Sequence, residues 1–188
     1  HLIQNIQAFH ESIKAAGDLA EKNKLVTFGI APDKAETGYG YIQAEIADTE
    51  KYFSVKSFTE KPDQENANKY LESGNYFWNS GMFMFKASVY LEEVNKFAPE
   101  ILSCCKKSLP SENKDLDFIR LNNDEFLKCP ERSIDYAVME HTKEAIVMPL
   151  DANWSDIGSW DALMNSKIKD QNGNVIEGDV IIDEVFDT

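Results

Sequence analysis

The chain has 188 residues, of which 43% are apolar, and carries a formal net charge of −14 with a pI near 4.6. Such a surface repels nucleic-acid phosphates and anionic lipid, which argues against both as partners. The length suits one full domain and core, and no apolar run approaches the roughly 18 residues that cross a bilayer.

Ile3, Ile6, Phe9, Ile13, Ala16 and Ala20 recur at three- and four-residue steps and predict an amphipathic helix to about Lys22. Leu25 to Ile30 is short, apolar and partly β-branched, as a buried strand requires. Tyr39 to Ile46 and Tyr52 to Phe58 read as two more strands, joined by the polar Asp48-Thr49-Glu50-Lys51. Asp63, after Pro62, caps a predicted helix to about Glu72, with Gly74 as its stop. Met82 to Phe85 is a strand candidate, and Ser88 starts a helix ending near Phe97. Two or three helices are expected between 100 and 142, separated by Pro110 and Pro130. Ile146 to Met148 is a strand, followed by a turn at Trp154 and a helix to about Asn165. In the tail, Gln171-Asn172-Gly173-Asn174 is a hairpin signal. Apolar pairs at Val175-Ile176 and Val180-Ile181-Ile182 suggest the start of a β-rich unit. Strands alternating with helices predict an α/β domain with a mostly parallel or mixed sheet, its chemistry on the loops after strands.

Trp154-Ser155-Asp156-Ile157-Gly158-Ser159-Trp160 fixes one carboxylate in a tight turn that Gly158 permits, with Ser159 able to cap the next helix. Asp156 could bind a divalent metal through oxygen, or only close an Asx-type turn. Thr37-Gly38-Tyr39-Gly40-Tyr41 puts two glycines at the mouth of a strand, where a backbone N–H can approach a ligand; an ordinary turn explains them as well. In Glu60-Lys61-Pro62, Lys61 could neutralise a phosphate and Glu60 could accept from sugar hydroxyls. A plain surface ion pair is the alternative. Asn79, in Trp78-Asn79-Ser80-Gly81-Met82-Phe83, offers a donor and an acceptor that suit a polyol, or stabilises its own loop. Ser133-Ile134-Asp135-Tyr136-Ala137-Val138-Met139-Glu140 reads as a capped helix start, where suiting the helix dipole is a sufficient role for Asp135 and a ligand contact is the alternative.

Three cysteines, two of them adjacent and none in a C-x-x-C pair, argue against a disulfide framework and a zinc site. A reducing, cytoplasmic compartment fits them. The glycosylation sequon at Asn153 is read as accidental. Histidine catalysis has little to draw on, with only His1, His10 and His141.

Taken in this order, the TGYG, EKP, WNSGMF, SIDYAVME and WSDIGSW segments resemble the bacterial mannose-1-phosphate guanylyltransferases, from His1 to about Asp183. The resemblance implies an α/β fold: the C-terminal portion of a nucleotide-diphospho-sugar transferase domain (GT-A, Rossmann-like) with a mixed sheet over 1–167. A short β-rich tail or linker to a further domain follows over 168–188. It implies synthesis of GDP-mannose and pyrophosphate from mannose 1-phosphate and GTP, with Mg²⁺ as cofactor. Lys61 and Asp156 are then the catalytic residues, and Asp156 is the metal ligand. Gly40, Glu60, Lys61 and Asn79 are the substrate contacts. The expected partners are the two substrates, with a homodimer as the assembly and no nucleic acid or membrane.

The family's glycine-rich nucleotide-binding half is expected upstream of His1, together with a second metal-binding aspartate, so the chain alone is expected to be inactive. Three alternatives stay open. One is a bifunctional enzyme that also isomerises mannose 6-phosphate. The second is a pyrophosphorylase for another sugar or nucleotide, against which Trp78 and Trp154 count. The third is a non-catalytic regulatory subunit, against which the retained Lys61, Asn79 and Asp156 count.

Overall fold

The computed structural model describes residues 1–47, 51–110, 114–115 and 118–188. The expected loop residues Asp48, Thr49 and Glu50 lie outside them. Contacts group the chain into two compact units, one of His1–Phe9 with Asp151–Thr188 and the other His10–Leu150.

The elements follow the predicted order closely. Strand β1 (Leu2–Ile3) precedes helix α1 (Ile6–Glu21), so Ile3 is a strand residue and not the first helical one. The Asn5 side chain accepts from Ala8 N–H at 3.1 Å, which starts the helix only after it. Then come β2 (Leu25–Ile30), β3 (Tyr41–Ala44), β4 (Phe53–Thr59), α2 (Gln64–Ser73) and β5 (Tyr76–Met84). Helix α2 has the expected ends: Asp63 accepts from Asn66 N–H at 2.8 Å, and Gly74 closes it in the left-handed region at φ 70°. Helices α3 (Ala87–Phe97) and α4 (Pro99–Ser108) follow. Two short strands, β6 (Lys114–Asp115) and β7 (Phe118–Ile119), pair antiparallel in a region read as helical. Helix α5 is a single turn (Asn123–Phe126).

Asp135–Met139 forms a π-helical turn, closed by Glu140 N–H donating to Asp135 C=O at 3.0 Å. Ser133, the expected cap, contributes only its carbonyl, to Ala137 N–H. Strand β8 (Ala145–Pro149), β9 (Trp154–Ser155) and α6 (Trp160–Asn165) complete the order. Ser159 caps α6 as expected, accepting from Ala162 N–H at 3.1 Å. The tail carries turns and no strand among the described residues, contrary to its β-rich reading. Asp170 Oδ1 takes the N–H groups of Asn172 and Asn174, both at 2.8 Å, and so organises this stretch as a turn.

In the His10–Leu150 unit, the strand order runs β2-β5-β3-β4-β8 and returns to β2. The sheet is mixed: β2 and β8 are parallel, and every other pair is antiparallel. Gly29 in β2 leaves no room for a side chain, since an added Cβ would lie 2.8 Å from Phe77 Cβ. One face of the sheet buries Leu25, Ile42, Phe58 and Val147 with Val94 and Leu102 of the helices and Val138 of the π-turn. The other face packs Tyr41 and Trp78 against Ala67 of α2, with Tyr70 and Tyr76 stacked at 4.2 Å. These two layers fix the edge of the sheet on which the candidate residues lie.

Candidate functional site

Sheet register brings together residues that are far apart in sequence. Tyr41 pairs with Thr59 and with Trp78. The next position along each strand therefore sets Gly40 beside Glu60 and Asn79, and Asn79 N–H donates to Gly40 C=O at 2.8 Å. Gly40 precedes β3, Glu60 follows β4, and Asn79 lies inside β5. The site is thus not confined to loops after strands, and Asn79 does not sit in a turn ahead of one. In a largely antiparallel sheet, strand starts and ends meet on the same edge.

Asn79 owes its aim to a bulge. Thr27 pairs with Phe83 but Gly29 pairs with Asn79, so β5 carries extra residues at Ser80–Met82, with Gly81 at φ 72°. Bulges re-aim side chains in this way. Asn79 Oδ1 accepts from the Gly81 N–H at 3.1 Å and from the buried Thr27 hydroxyl at 3.2 Å. Its Nδ2 donates to Asp135 Oδ1 at 3.0 Å.

Gly40 is small because Glu60 and Asn79 need the space. An added Cβ would collide with the Glu60 carboxylate and lie 3.3 Å from Asn79 Cβ. Gly38, by contrast, belongs to a locally bonded turn, where its N–H donates to Glu36 Oε1 at 3.1 Å. Glu60 is largely covered, with 13% of its side chain exposed, whereas Lys61 is 63% exposed. They approach at 3.5 Å. Lys61 takes a left-handed backbone at φ 47° ahead of buried Pro62, a strained conformation of the kind stored at functional sites. Burial pushes the Glu60 carboxyl above its ordinary range, and the negative charge of Asp135 adds to this. Lys61 pulls the other way, and Glu140 adds a smaller push upward. The result is an edge lined by acceptors, one amide and one exposed cation, which suits a ligand carrying hydroxyls and an anionic group.

Asp135 and Thr27 were not among the residues expected from sequence. Asp135 sits in one of the quoted segments, but its place at the start of a helix gave it a sufficient role there. A five-residue π-turn offers little dipole, and its side chain instead reaches Asn79. Thr27 is a hydroxyl within an otherwise apolar strand, which is the one signal it left.

Asp156 belongs to the other unit. There β1 and β9 pair antiparallel with Leu2 opposite Ser155, and Trp154 Nε1 donates to His1 Nδ1 at 3.0 Å. The turn that follows takes its left-handed residue at Ile157, φ 52°, and not at Gly158. Gly158 matters for another reason: a Cβ there would collide with the Asp156 carboxylate. Trp160, two residues beyond Gly158, is 86% exposed. Among the described residues no three His, Cys, Asp or Glu side chains cluster as a metal cage. A single carboxylate still fits Mg²⁺, which is commonly held by one or two carboxylates together with substrate phosphates.

The sequence profile of the Nucleotidyl transferase family matches residues 1–173. Mannose-1-phosphate guanylyltransferase of Klebsiella pneumoniae is 50% identical over 182 residues, covering 95% of this chain and 39% of that protein. ManC of Salmonella typhimurium, also a mannose-1-phosphate guanylyltransferase, is 51% identical over 185 residues, covering 96% and 38%. The chain thus spans about two fifths of the length of the curated relatives it matches. Among solved structures, mannose-6-phosphate isomerase from Helicobacter pylori aligns with a TM-score of 0.74 at 39% identity, covering 82% of this chain and 60% of that one. Mannose-1-phosphate geranyltransferase from Thermus thermophilus aligns with a TM-score of 0.78 at 27% identity, covering 94% and 50%.

Proposed function

The chain belongs to the nucleotidyl transferase family, and from that premise we propose that it forms part of a mannose-1-phosphate guanylyltransferase. The reaction joins mannose 1-phosphate and GTP into GDP-mannose and pyrophosphate. A phosphate oxygen of the sugar phosphate attacks the α-phosphorus of GTP, a new P–O bond forms, and pyrophosphate leaves. Such transfers need positioning and charge neutralisation more than covalent chemistry. The observation that carries the reading is the convergence of Gly40, Glu60 and Asn79 on one sheet edge with Lys61 beside them.

In this reading the Gly40 backbone, Glu60 and Asn79 bind sugar hydroxyls, and the exposed Lys61 ammonium takes the sugar phosphate. Asp156 would hold Mg²⁺, which would supply charge neutralisation at the phosphates. Residues 168–188 serve as the link to a further domain. That the H. pylori relative is an isomerase favours a second reading, in which the intact protein also isomerises mannose 6-phosphate. Cytoplasmic location and a homodimer complete the proposal; no helix among the described residues is long and apolar enough to cross a membrane.

Turnover of mannose 1-phosphate and GTP by the intact protein tests this. Lys61→Ala and Asp156→Asn should each cut it sharply, and unchanged turnover in either refutes that residue's role. Isothermal titration with mannose 1-phosphate and Mg²⁺ separates a binding protein from an inert subunit.

A further inference from the structure

The bonds around Asn79 leave it one way to meet a ligand. A side-chain amide has two N–H donors and a carbonyl oxygen with two lone pairs. Thr27 and Gly81 use the oxygen, at 3.2 and 3.1 Å. Asp135 uses one N–H, at 3.0 Å. One N–H remains for a ligand. We propose that Asp135 is a positioning residue of the sugar subsite, holding Asn79 so that its amide meets a ligand hydroxyl as a donor only. The inference rests on the sugar-phosphate reading above.

Two features of the fold support it. Asp135 opens the π-turn, whose next buried residues, Ala137, Val138 and Met139, are packed into the core. The wider turn, closed from Glu140 N–H to Asp135 C=O, is thereby anchored and presents Asp135 to β5. Turns of this type recur at functional sites. Second, Asp135 lies close enough to Glu60 that its negative charge adds to the upward push that burial gives the Glu60 carboxyl. That repulsion is a local cost of placing Asp135 there, set against the 3.0 Å bond it accepts from Asn79.

The consequence is a fixed polarity for recognition. Glu60, when ionised, only accepts, and Asn79, as held, only donates. A ligand must therefore donate at one point and accept at the other, as sugar hydroxyls do. Were Asn79 free to turn its amide over, this polarity would be lost.

The test is steady-state kinetics on the intact protein, with KM measured separately for mannose 1-phosphate and GTP. Asp135→Ala should raise the sugar-phosphate KM about tenfold, the size expected for one lost orienting hydrogen bond, and leave the KM for GTP unchanged. Asp135→Asn keeps a carbonyl that accepts the same N–H and should stay within roughly threefold of wild type. Thr27→Val removes a bond on the opposite side of the amide and should also raise the sugar-phosphate KM. A wild-type KM in Asp135→Ala overturns the proposal, as does Asp135→Asn behaving like Asp135→Ala. Equal movement of both KM values points to general damage and overturns it too. If Asp135→Ala does not fold, Asp135→Ser, which keeps a polar side chain too short to reach the Asn79 amide, takes its place, and an unchanged sugar-phosphate KM there is refuting. A wild-type protein that ignores mannose 1-phosphate sinks both this and the sugar-phosphate reading; an active wild type with an unaffected Asp135→Ala sinks this alone.

Discussion

Gly40→Ala separates the role of Glu60 from the stability of the sheet. The new methyl would occupy the space of the Glu60 carboxylate and approach Asn79 Cβ to 3.3 Å and Phe58 Cε1 to 3.5 Å. Gly40 is not among the glycines at positive φ, so alanine fits the backbone. The severe contact is with the far end of a flexible side chain, and Glu60 can swing away. The stability cost should therefore fall at or below the low end of overpacking, about 1 kcal/mol. Swinging also loosens the 3.5 Å approach to Lys61, but that pair involves an exposed lysine and contributes little. Binding should suffer far more. A displaced Glu60 gives up a hydrogen bond between a charged group and a sugar hydroxyl, about 1.5–3 kcal/mol. That converts to a roughly 10- to 100-fold rise in KM for mannose 1-phosphate. Thermal melts and initial-rate kinetics on the same preparation measure both quantities. An unchanged KM at unchanged melting temperature would refute Glu60 as a sugar contact. A large fall in melting temperature would refute the view that Glu60 can move aside.

Glu60→Gln should stabilise the protein near pH 7 relative to wild type. The folded carboxyl titrates above its ordinary value of 4.5, so its favourable contribution is complete below about 4.5 and is lost as pH rises through the higher folded value. The difference in melting temperature between variant and wild type should thus be largest at neutral pH and vanish near pH 4; a pH-independent difference contradicts the assigned shift. Asp63→Ala removes the 2.8 Å cap on α2 and should cost about 1 kcal/mol in chemical denaturation, with no effect meaning that another group caps the helix. Gly29→Ala forces a methyl against Phe77 in the packed sheet and should cost about 1–3 kcal/mol, and a neutral result would mean that the sheet can part there.

Local chemistry was legible wherever it acts over a few residues. Asp63 and Gly74 bounded α2, Ser159 capped α6, and Leu25–Ile30 formed a strand, because caps and apolar runs depend on near neighbours. Residue types and the order of motifs point to Gly40, Glu60 and Asn79, and sheet register brings the three together. The WNSG segment misled because glycine and asparagine signal turns in isolation, while here they build a bulge within β5. The NGN signal in the tail likewise gave a turn without flanking strands.

The sequence by itself determined most of the elements before Pro99, both ends of α2 and the cap of α6, since each rests on periodicity, capping or a run of adjacent residues, and its ordered motifs carried the family resemblance. Only the tertiary structure decided that β5 bulges at Gly81, that the segment after Ser133 winds as a π-turn, and that Asp135 and Thr27 meet across Asn79. Those contacts join residues 52 and 56 positions apart. They depend on how sheet register and core packing close long loops, and no short stretch of sequence encodes that by itself.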